Sequence, residues 1–110
     1  MIIMQVTNYH VKASITSSNP PIGTDVLILT GAENTTVVKS LEVISGSENA
    51  IASVFRKDPD GNVYGSIKLD LTAYNYVMLW EGFISIPPGH QLFINADSQH
   101  VEAIANVVEL

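Results

Sequence analysis

The sequence predicts an all-β fold: an antiparallel β-sandwich of the jelly-roll kind, with about eight short strands. Three observations carry the prediction. Apolar and polar residues alternate with a period of two in several segments, turn residues separate these segments at short intervals, and no segment has a convincing helical period. Because a sheet that is apolar on one side needs a second layer to cover it, we expect two packed sheets.

The candidate strands follow one another along the chain with short polar connections between them. They are residues 9–16, 25–30, 35–45, 50–57, 63–70, 76–80, 83–86, 91–96 and 101–108. The first alternates cleanly, and the second is a continuous apolar run that suggests burial on both faces. In the third, Val37, Leu41 and Val43 are predicted to share one face. Val38 and Ile44 are then expected on the opposite face.

The stretch at residues 80–96 is the best-marked part of the pattern and predicts a β-hairpin. Pro87 and Pro88 donate no ladder hydrogen bond, and Gly89 can adopt a positive φ, so these residues stop one strand and turn the chain. The alternation resumes at Leu92. The stretch therefore predicts two strands that pair with each other across a tight turn.

The last segment, residues 101–108, has two interpretations. Its alternation and its β-branched residues favour a strand. Ile104, Val107 and Val108 also have the spacing of one face of a short helix. We expect the strand.

Residues 58–62 give the strongest turn signal of the chain, Asp-Pro-Asp-Gly-Asn. Asp58, Asp60 and Asn62 also offer oxygen ligands at alternate positions, which is typical of the start of a calcium loop. The glutamate that completes such a loop is missing from residues 63–71. The sequence therefore favours a plain β-turn over a metal site.

Length and composition bound the kind of protein. The 110 residues suit one domain, and we expect residues 1–110 to form it. Hydrophobic residues make up 46% of the chain and charged residues only 15%, against about 25% in average domains. A surface so short of charge is expected where other protein covers part of it.

Charge and cysteine content exclude several classes. The formal net charge is −6, and the five Lys and Arg residues are scattered, so no basic stripe predicts nucleic acid as a partner. The absence of cysteine excludes disulfides and thiolate metal sites. Residues 1–4 are too short for a signal-peptide core, and no apolar run approaches the ~20 residues of a membrane helix. We expect neither export nor membrane insertion.

No catalytic constellation is recognisable. The histidines His10, His90 and His100 form no pair at metal-ligand spacing, and the last two are expected to face solvent in or beside turns. The serines lie mostly in predicted turns and on polar strand faces, without the strand–turn–helix context of a nucleophile elbow. We therefore expect no enzyme activity, no catalytic residue, no metal and no cofactor.

Aromatic residues suggest one ligand site. Tyr64, Tyr74, Tyr76 and Trp80 offer flat rings on which a sugar can stack, and Asn75 offers an amide for its hydroxyl groups. Of these residues, Tyr64, Tyr74, Asn75 and Trp80 form the candidate glycan site. The alternative is that Trp80 and Tyr76, which lie an even number of residues apart, belong to the core face of one strand.

The C-terminal third contains a glycine, an apolar strand, a Pro-Gly turn and Leu-x-Ile-x-Ala in residues 81–96, and then a closing strand in residues 101–110. Residues 32–43 add a small polar turn before Val-Val-Lys-Ser-Leu. In these segments the chain resembles small virion structural proteins of tailed bacteriophages. The resemblance implies a β-sandwich that works in repeated copies as a capsid decoration, neck or tail component. It brings no catalytic residues.

On these grounds we expect a non-enzymatic virion structural protein, assembled into the virion in the host cytoplasm, whose partners are other virion proteins and further copies of itself. The alternative is a carbohydrate-binding β-sandwich module with a glycan ligand. In the first case, apolar residues on the second faces would contact other subunits. The candidates are Val38 or Ile44 and Ile104 or Val108. The first and last strands would supply such contacts as open sheet edges, and Val108 tests this expectation.

Overall fold

The computed structural model describes residues 7–15, 25–33, 36–97 and 101–109, with the side chains of 7–15 and 79–83 excepted. These residues form eight β-strands in two antiparallel four-stranded sheets, which confirms the predicted β-sandwich. The strands are β1 (Thr7–Ile15), β2 (Val26–Thr30), β3 (Thr36–Ile44), β4 (Ala50–Lys57), β5 (Val63–Leu71), β6 (Tyr76–Ile86), β7 (Gln91–Ala96) and β8 (Val101–Glu109). Within the described ranges, no helix is long and apolar enough to cross a membrane.

The strand order is that of a jelly roll. The first sheet has the order β1-β8-β3-β6, and the second sheet has the order β2-β7-β4-β5. β1 pairs with β8, β2 with β7, β3 with β6 and β4 with β5, as if one long hairpin had been wound into two layers. β3 also pairs with β8, and β4 with β7, which completes each sheet. An eight-stranded double sheet with these pairings is the jelly-roll arrangement.

The hairpin predicted for residues 80–96 is wrong. A turn does follow Ile86, with the His90 N–H donating to the Pro87 carbonyl at 3.1 Å and Gly89 at a φ of 79°. However, β6 lies beside β3 in the first sheet, whereas β7 lies between β2 and β4 in the second. Turn residues specify a chain reversal but not the partner strand, and here the reversal carries the chain from one sheet to the other.

β6 is a single strand of 11 residues, where the sequence predicted separate strands at residues 76–80 and 83–86. Its register against β3 shifts at two places. Such irregularities bend a strand without ending it, so Glu81 and Gly82 lie within β6 and not in a break.

The core lies between the two sheets and consists of inward-facing residues from both. Its buried apolar members are Ile28, Leu29, Val38, Leu41, Val43, Ala50, Ala52, Val54, Leu71, Ile86, Leu92, Ile94, Ala96, Val101, Ala103, Ala105 and Val107. β8 contributes every second residue to this list, which is the period of a strand and not of a helix. The strand interpretation of residues 101–108 is therefore confirmed.

A β-bulge in β3 changes which residues reach the core. Val38, Leu41 and Val43 are fully buried, whereas Val37 is only half-buried. The register shift between Val38 and Ser40 adds one residue to β3, so the inward face moves from even to odd positions. The predictions that Val38 lies on the second face and that Val37 shares the face of Leu41 are therefore wrong.

Two connections cross closely at one end of the sandwich. The Gly31 N–H donates to the His90 carbonyl at 2.8 Å, and the Gly89 N–H donates to the Gly31 carbonyl at 3.1 Å. A Cβ atom on Gly31 would lie 2.1 Å from the Pro87 carbonyl oxygen. Glycine is therefore required where the chain between β2 and β3 passes the β6–β7 turn.

Candidate functional site

The four residues of the predicted glycan site do not come together. Tyr64 lies near the start of β5, whereas Tyr74 and Asn75 lie in the turn after its end. A strand of nine residues spans about 30 Å, which is too far for one sugar-binding platform. Trp80 lies midway along β6, an edge strand of the first sheet, where it pairs with Leu41, and its side chain lies outside the described residues.

Tyr64 belongs to a structural cluster at one end of the sandwich. The Arg56 guanidinium lies 4.8 Å from the centre of its ring, and its hydroxyl oxygen is 2.7 Å from His90 Nδ1. His90 is half-buried, so the prediction that it faces solvent is wrong. The side chain of His10 and the whole of His100 lie outside the described residues. Tyr64 is thus held by protein groups on more than one side of its ring.

Tyr74 and Asn75 shape the β5–β6 turn. Tyr74 is 79% exposed at a φ of 55°, and its N–H donates to the Gly46 carbonyl at 2.7 Å. The Asn75 N–H donates to Ser45 Oγ at 2.8 Å, and Asn75 Oδ1 accepts from the Tyr76 N–H at 2.9 Å. The amide oxygen of Asn75 is therefore engaged within the turn, and Tyr64 lies at the opposite end of β5 from Tyr74.

The Asp58 carboxylate organises the β4–β5 turn, which joins two paired strands as the sequence predicted. Its Oδ1 accepts from the N–H groups of Asp60 and Asn62, each at 2.9 Å, and its Oδ2 accepts from Asn62 Nδ2 at 3.0 Å. The hydrogen bond from the Asn62 backbone is the largest cause that lowers the pKa of Asp58. Among the described residues, no group of three His, Cys, Asp or Glu side chains could hold a metal ion.

The outer face of the first sheet carries an apolar patch, which we call the first-sheet patch. Its members are Val37, Ile44, Tyr76, Met78, Ile104 and Val108. Val37 lies opposite Val108, and Ile44 lies opposite Tyr76. Directly opposite residues of antiparallel strands point to the same face, so the patch runs across three strands. Tyr76 and Met78 are 51% and 41% exposed, and the other four members are half-buried.

Polar side chains interrupt the first-sheet patch. Glu42 lies opposite both Ile104 and Met78, and the Asn106 amide donates to the Ser40 hydroxyl. The carboxylate of Glu42 also accepts a hydrogen bond from the Tyr76 hydroxyl, which raises the pKa of Tyr76. The face is therefore a mixture of apolar side chains and hydrogen-bonded polar groups.

The expectation that the last strand is an open edge is wrong. β8 pairs with β1 on one side and with β3 on the other, so its backbone groups are used within the sheet. Val108 instead lies on the outer face of the sheet, half-buried, between Val37 and the β1 backbone at Asn8. In the first sheet the edge strands are β1 and β6.

The outer face of the second sheet contains a groove that the sequence did not predict. Phe55 and Phe93 lie opposite each other with ring centres 5.6 Å apart and planes within 10° of parallel. Above them, Asp25 accepts from Lys57 Nζ at 3.3 Å and from Asn95 Nδ2 at 2.8 Å. These residues come from three segments far apart in sequence. The only sequence signal is that Phe55 and Lys57, like Phe93 and Asn95, are two apart on one strand face.

No protein-family model matches the sequence, and no curated protein sequence matches it. Several solved structures match most of the chain in fold, including the following three. A structure of infectious bursal disease virus, Gx strain, has 13% identity and a TM-score of 0.46, covering 96% of this chain and 32% of that one. A structure of the Gt strain of the same virus has 12% identity and a TM-score of 0.42. That match covers 94% of this chain and 32% of the viral one.

The third structure is the Podospora anserina GH26-CBM35 β-(1,4)-mannanase, with 9% identity and a TM-score of 0.43. The match covers 94% of this chain and 27% of the mannanase. The chain thus spans a third or less of the length of all three proteins. All three TM-scores lie below 0.5.

Proposed function

We propose that the chain is a non-enzymatic structural protein of a bacteriophage particle, a capsid decoration, neck or tail component. It acts through repeated contacts with copies of itself and with other virion proteins. The observation that carries this proposal is the first-sheet patch, whose apolar members come from three neighbouring strands and are partly exposed, with hydrogen-bonded polar groups between them. Contiguous apolar patches on a protein surface mark sites of protein contact.

The composition of the patch supports a protein partner. Tyrosine and methionine are enriched in protein–protein interfaces, and Tyr76 and Met78 are the two most exposed members of the patch. The hydrogen-bonded pair Asn106–Ser40 can be covered without leaving these two polar groups unpaired. The patch therefore has the mixture of apolar area and satisfied polar groups that a subunit contact requires.

Two properties of the sequence also support assembly into a particle. Charged residues make up only 15% of the chain, which suits a surface that is largely covered. The pattern of residues 81–96 and 101–110 resembles small virion proteins of tailed bacteriophages. This resemblance is the source of the bacteriophage assignment, and the patch is the source of the proposed mode of action.

The second candidate function is carbohydrate binding. Tyr64, Tyr74 and Asn75 do not support it. Tyr64 is hydrogen-bonded to His90 at one end of the sandwich, whereas Tyr74 and Asn75 belong to the β5–β6 turn. The groove on the second sheet supports it instead, because a fixed polar network lies above stacked rings there.

The solution mass of the pure protein tests the first proposal. Light scattering over a wide range of protein concentration should give a mass that approaches a fixed multiple of 11.9 kDa. Copies with a formal charge of −6 repel one another, so added salt should shift this association to lower concentration. A mass of one chain at every protein and salt concentration would contradict self-assembly.

A further inference from the structure

We propose that the groove on the outer face of the second sheet binds an uncharged saccharide. The proposal deepens the carbohydrate-binding alternative and rests on it, but it does not depend on assembly through the first-sheet patch. The two surfaces lie on different sheets, so either proposal can be contradicted while the other stands. The groove has a volume of about 580 Å³, within the range of small-molecule sites.

An aromatic pair lies beneath the polar groups of the groove. Phe55 points outward from β4, yet it is only 7% exposed. Phe93 stacks against it, and Lys57 Nζ lies 4.7 Å from the centre of the Phe93 ring and 5.8 Å from that of Phe55. The rings are thereby fixed in one orientation. Because Phe55 keeps little exposed surface and Lys57 lies over both rings, the aromatic pair holds the ammonium group in place above it and is not itself a stacking surface for a sugar.

The wall of the groove is a fixed polar network. Asp25 precedes β2, Lys57 ends β4 and Asn95 lies in β7, and the Asp25 carboxylate joins the other two. The side chains of Asp25 and Lys57 keep 40% and 26% of their surface exposed, so they can still contact a ligand. Ser53 and Ser66 add hydroxyl groups to the lining. The site therefore offers a carboxylate, an ammonium and hydroxyl groups within one small volume.

The charges of the groove select the ligand class. An anion would meet the Asp25 carboxylate on a chain of net charge −6, and a cation would meet the Lys57 ammonium. A purely apolar ligand would remove water from the ion pair without replacing its hydrogen bonds. Sugar hydroxyl groups both donate and accept, so they can replace that water for carboxylate and ammonium alike. A neutral ligand rich in hydroxyl groups satisfies all three conditions, and an uncharged saccharide is such a ligand.

Titration with a panel of neutral oligosaccharides tests the proposal. Cellotetraose, xylotetraose, mannotetraose and maltotetraose are each added at millimolar concentration while backbone amide shifts are followed by NMR. At least one should shift the amides around Ser53, Lys57 and Asn95 in a saturable way. Asp25→Ala should weaken that binding by about tenfold or more, because a hydrogen bond to a charged group is lost.

A second variant and a control keep the test decisive. Ser53→Ile places a strand-favouring side chain on the groove floor and should also abolish binding, with the fold checked by circular dichroism. Tyr74→Ala, at the far end of β5 and 79% exposed, should bind as the wild type does. The proposal is overturned if no member of the panel shifts groove amides, if the shifts centre on Tyr74, or if folded Asp25→Ala binds unchanged.

Discussion

At the scale of single residues, the Asp58 carboxylate makes the β4–β5 turn sensitive to acid. Its pKa is lowered, chiefly by the hydrogen bond from the Asn62 N–H. A carboxyl group with a lowered folded-state pKa stabilises the fold above the unfolded-state pKa of about 3.9, and this stabilisation is lost as the pH falls through the folded-state value. Asp58→Asn should therefore show a shallower fall of melting temperature below about pH 4 than the wild type.

Thermal denaturation followed by circular dichroism across acidic pH measures this effect. Asp60→Asn is the matched control, because it keeps the three hydrogen bonds that Asp58 accepts. Its curve of melting temperature against pH should run parallel to that of the wild type. If the Asp58→Asn curve is also parallel, the turn does not depend on the charge of Asp58.

Gly31 tests the crossing of the two connections. Its Cβ atom in Gly31→Ala would lie 2.1 Å from the Pro87 carbonyl oxygen, so the two connections must separate. We expect the free energy of unfolding in urea to fall by about 3 kcal/mol, the upper end for overpacking. Gly61→Ala is the control: its Cβ meets nothing within 4 Å, and only its φ of 87° opposes the change, at a cost of about 1 kcal/mol. Equal losses in both variants would contradict crowding at Gly31.

At the scale of strands, the edge strands β2, β5 and β6 differ in how they are protected against pairing with another chain. β2 has five residues and a register shift, and β5 carries Lys68, Asp70 and the bulge at Gly65. β6 also has register shifts, at two places, but it has 11 residues, of which Glu81 is the single charged one. Long, weakly charged edge strands are the ones that pair with other chains. β6 therefore extends the first-sheet patch to the edge of the sheet.

A charge on β6 should weaken assembly without unfolding the chain. Met78→Lys introduces an ammonium group at a position that is 41% exposed, and we expect association to weaken by about tenfold. The melting temperature should change little, because exposed substitutions shift the free energy of unfolding by about 0.5 kcal/mol or less. Leu27→Lys, on the β2 edge and 45% exposed, is the control and should associate as the wild type does. Sedimentation equilibrium measures the association of both variants. Equal weakening of association in Met78→Lys and Leu27→Lys would contradict a role for β6.

The sequence allowed the strands to be located but not their partners. The alternation in β8 and the turn at residues 58–62 depend on local chemistry, and both are found as predicted. The bulge in β3 was not predicted, because an extra residue between Val38 and Ser40 is visible only in the register against β8. The false hairpin at residues 80–96 arose for a related reason: proline and glycine mark a reversal, whichever sheet the next strand joins.

At the scale of the whole molecule, both candidate surfaces are products of the jelly-roll winding. It brings Val37 opposite Val108, and it brings Asp25 within hydrogen-bonding distance of Asn95, about 70 residues further along the chain. No spacing rule connects residues so far apart in sequence. The expectation that Ile44, Ile104 and Val108 lie on outer faces followed from alternation alone, whereas the groove required the full strand order.

The measurement that tests the central claim most directly is the solution mass of Val108→Asp beside the wild type. The new carboxylate lies next to Val37 in the first-sheet patch, where burial in a subunit contact would leave it without a partner charge. Val63→Asp is the same substitution at a site on the second sheet that is 56% exposed. We predict that the wild type and Val63→Asp assemble alike while folded Val108→Asp has the mass of one chain. An unchanged oligomer for Val108→Asp would contradict assembly through the first sheet.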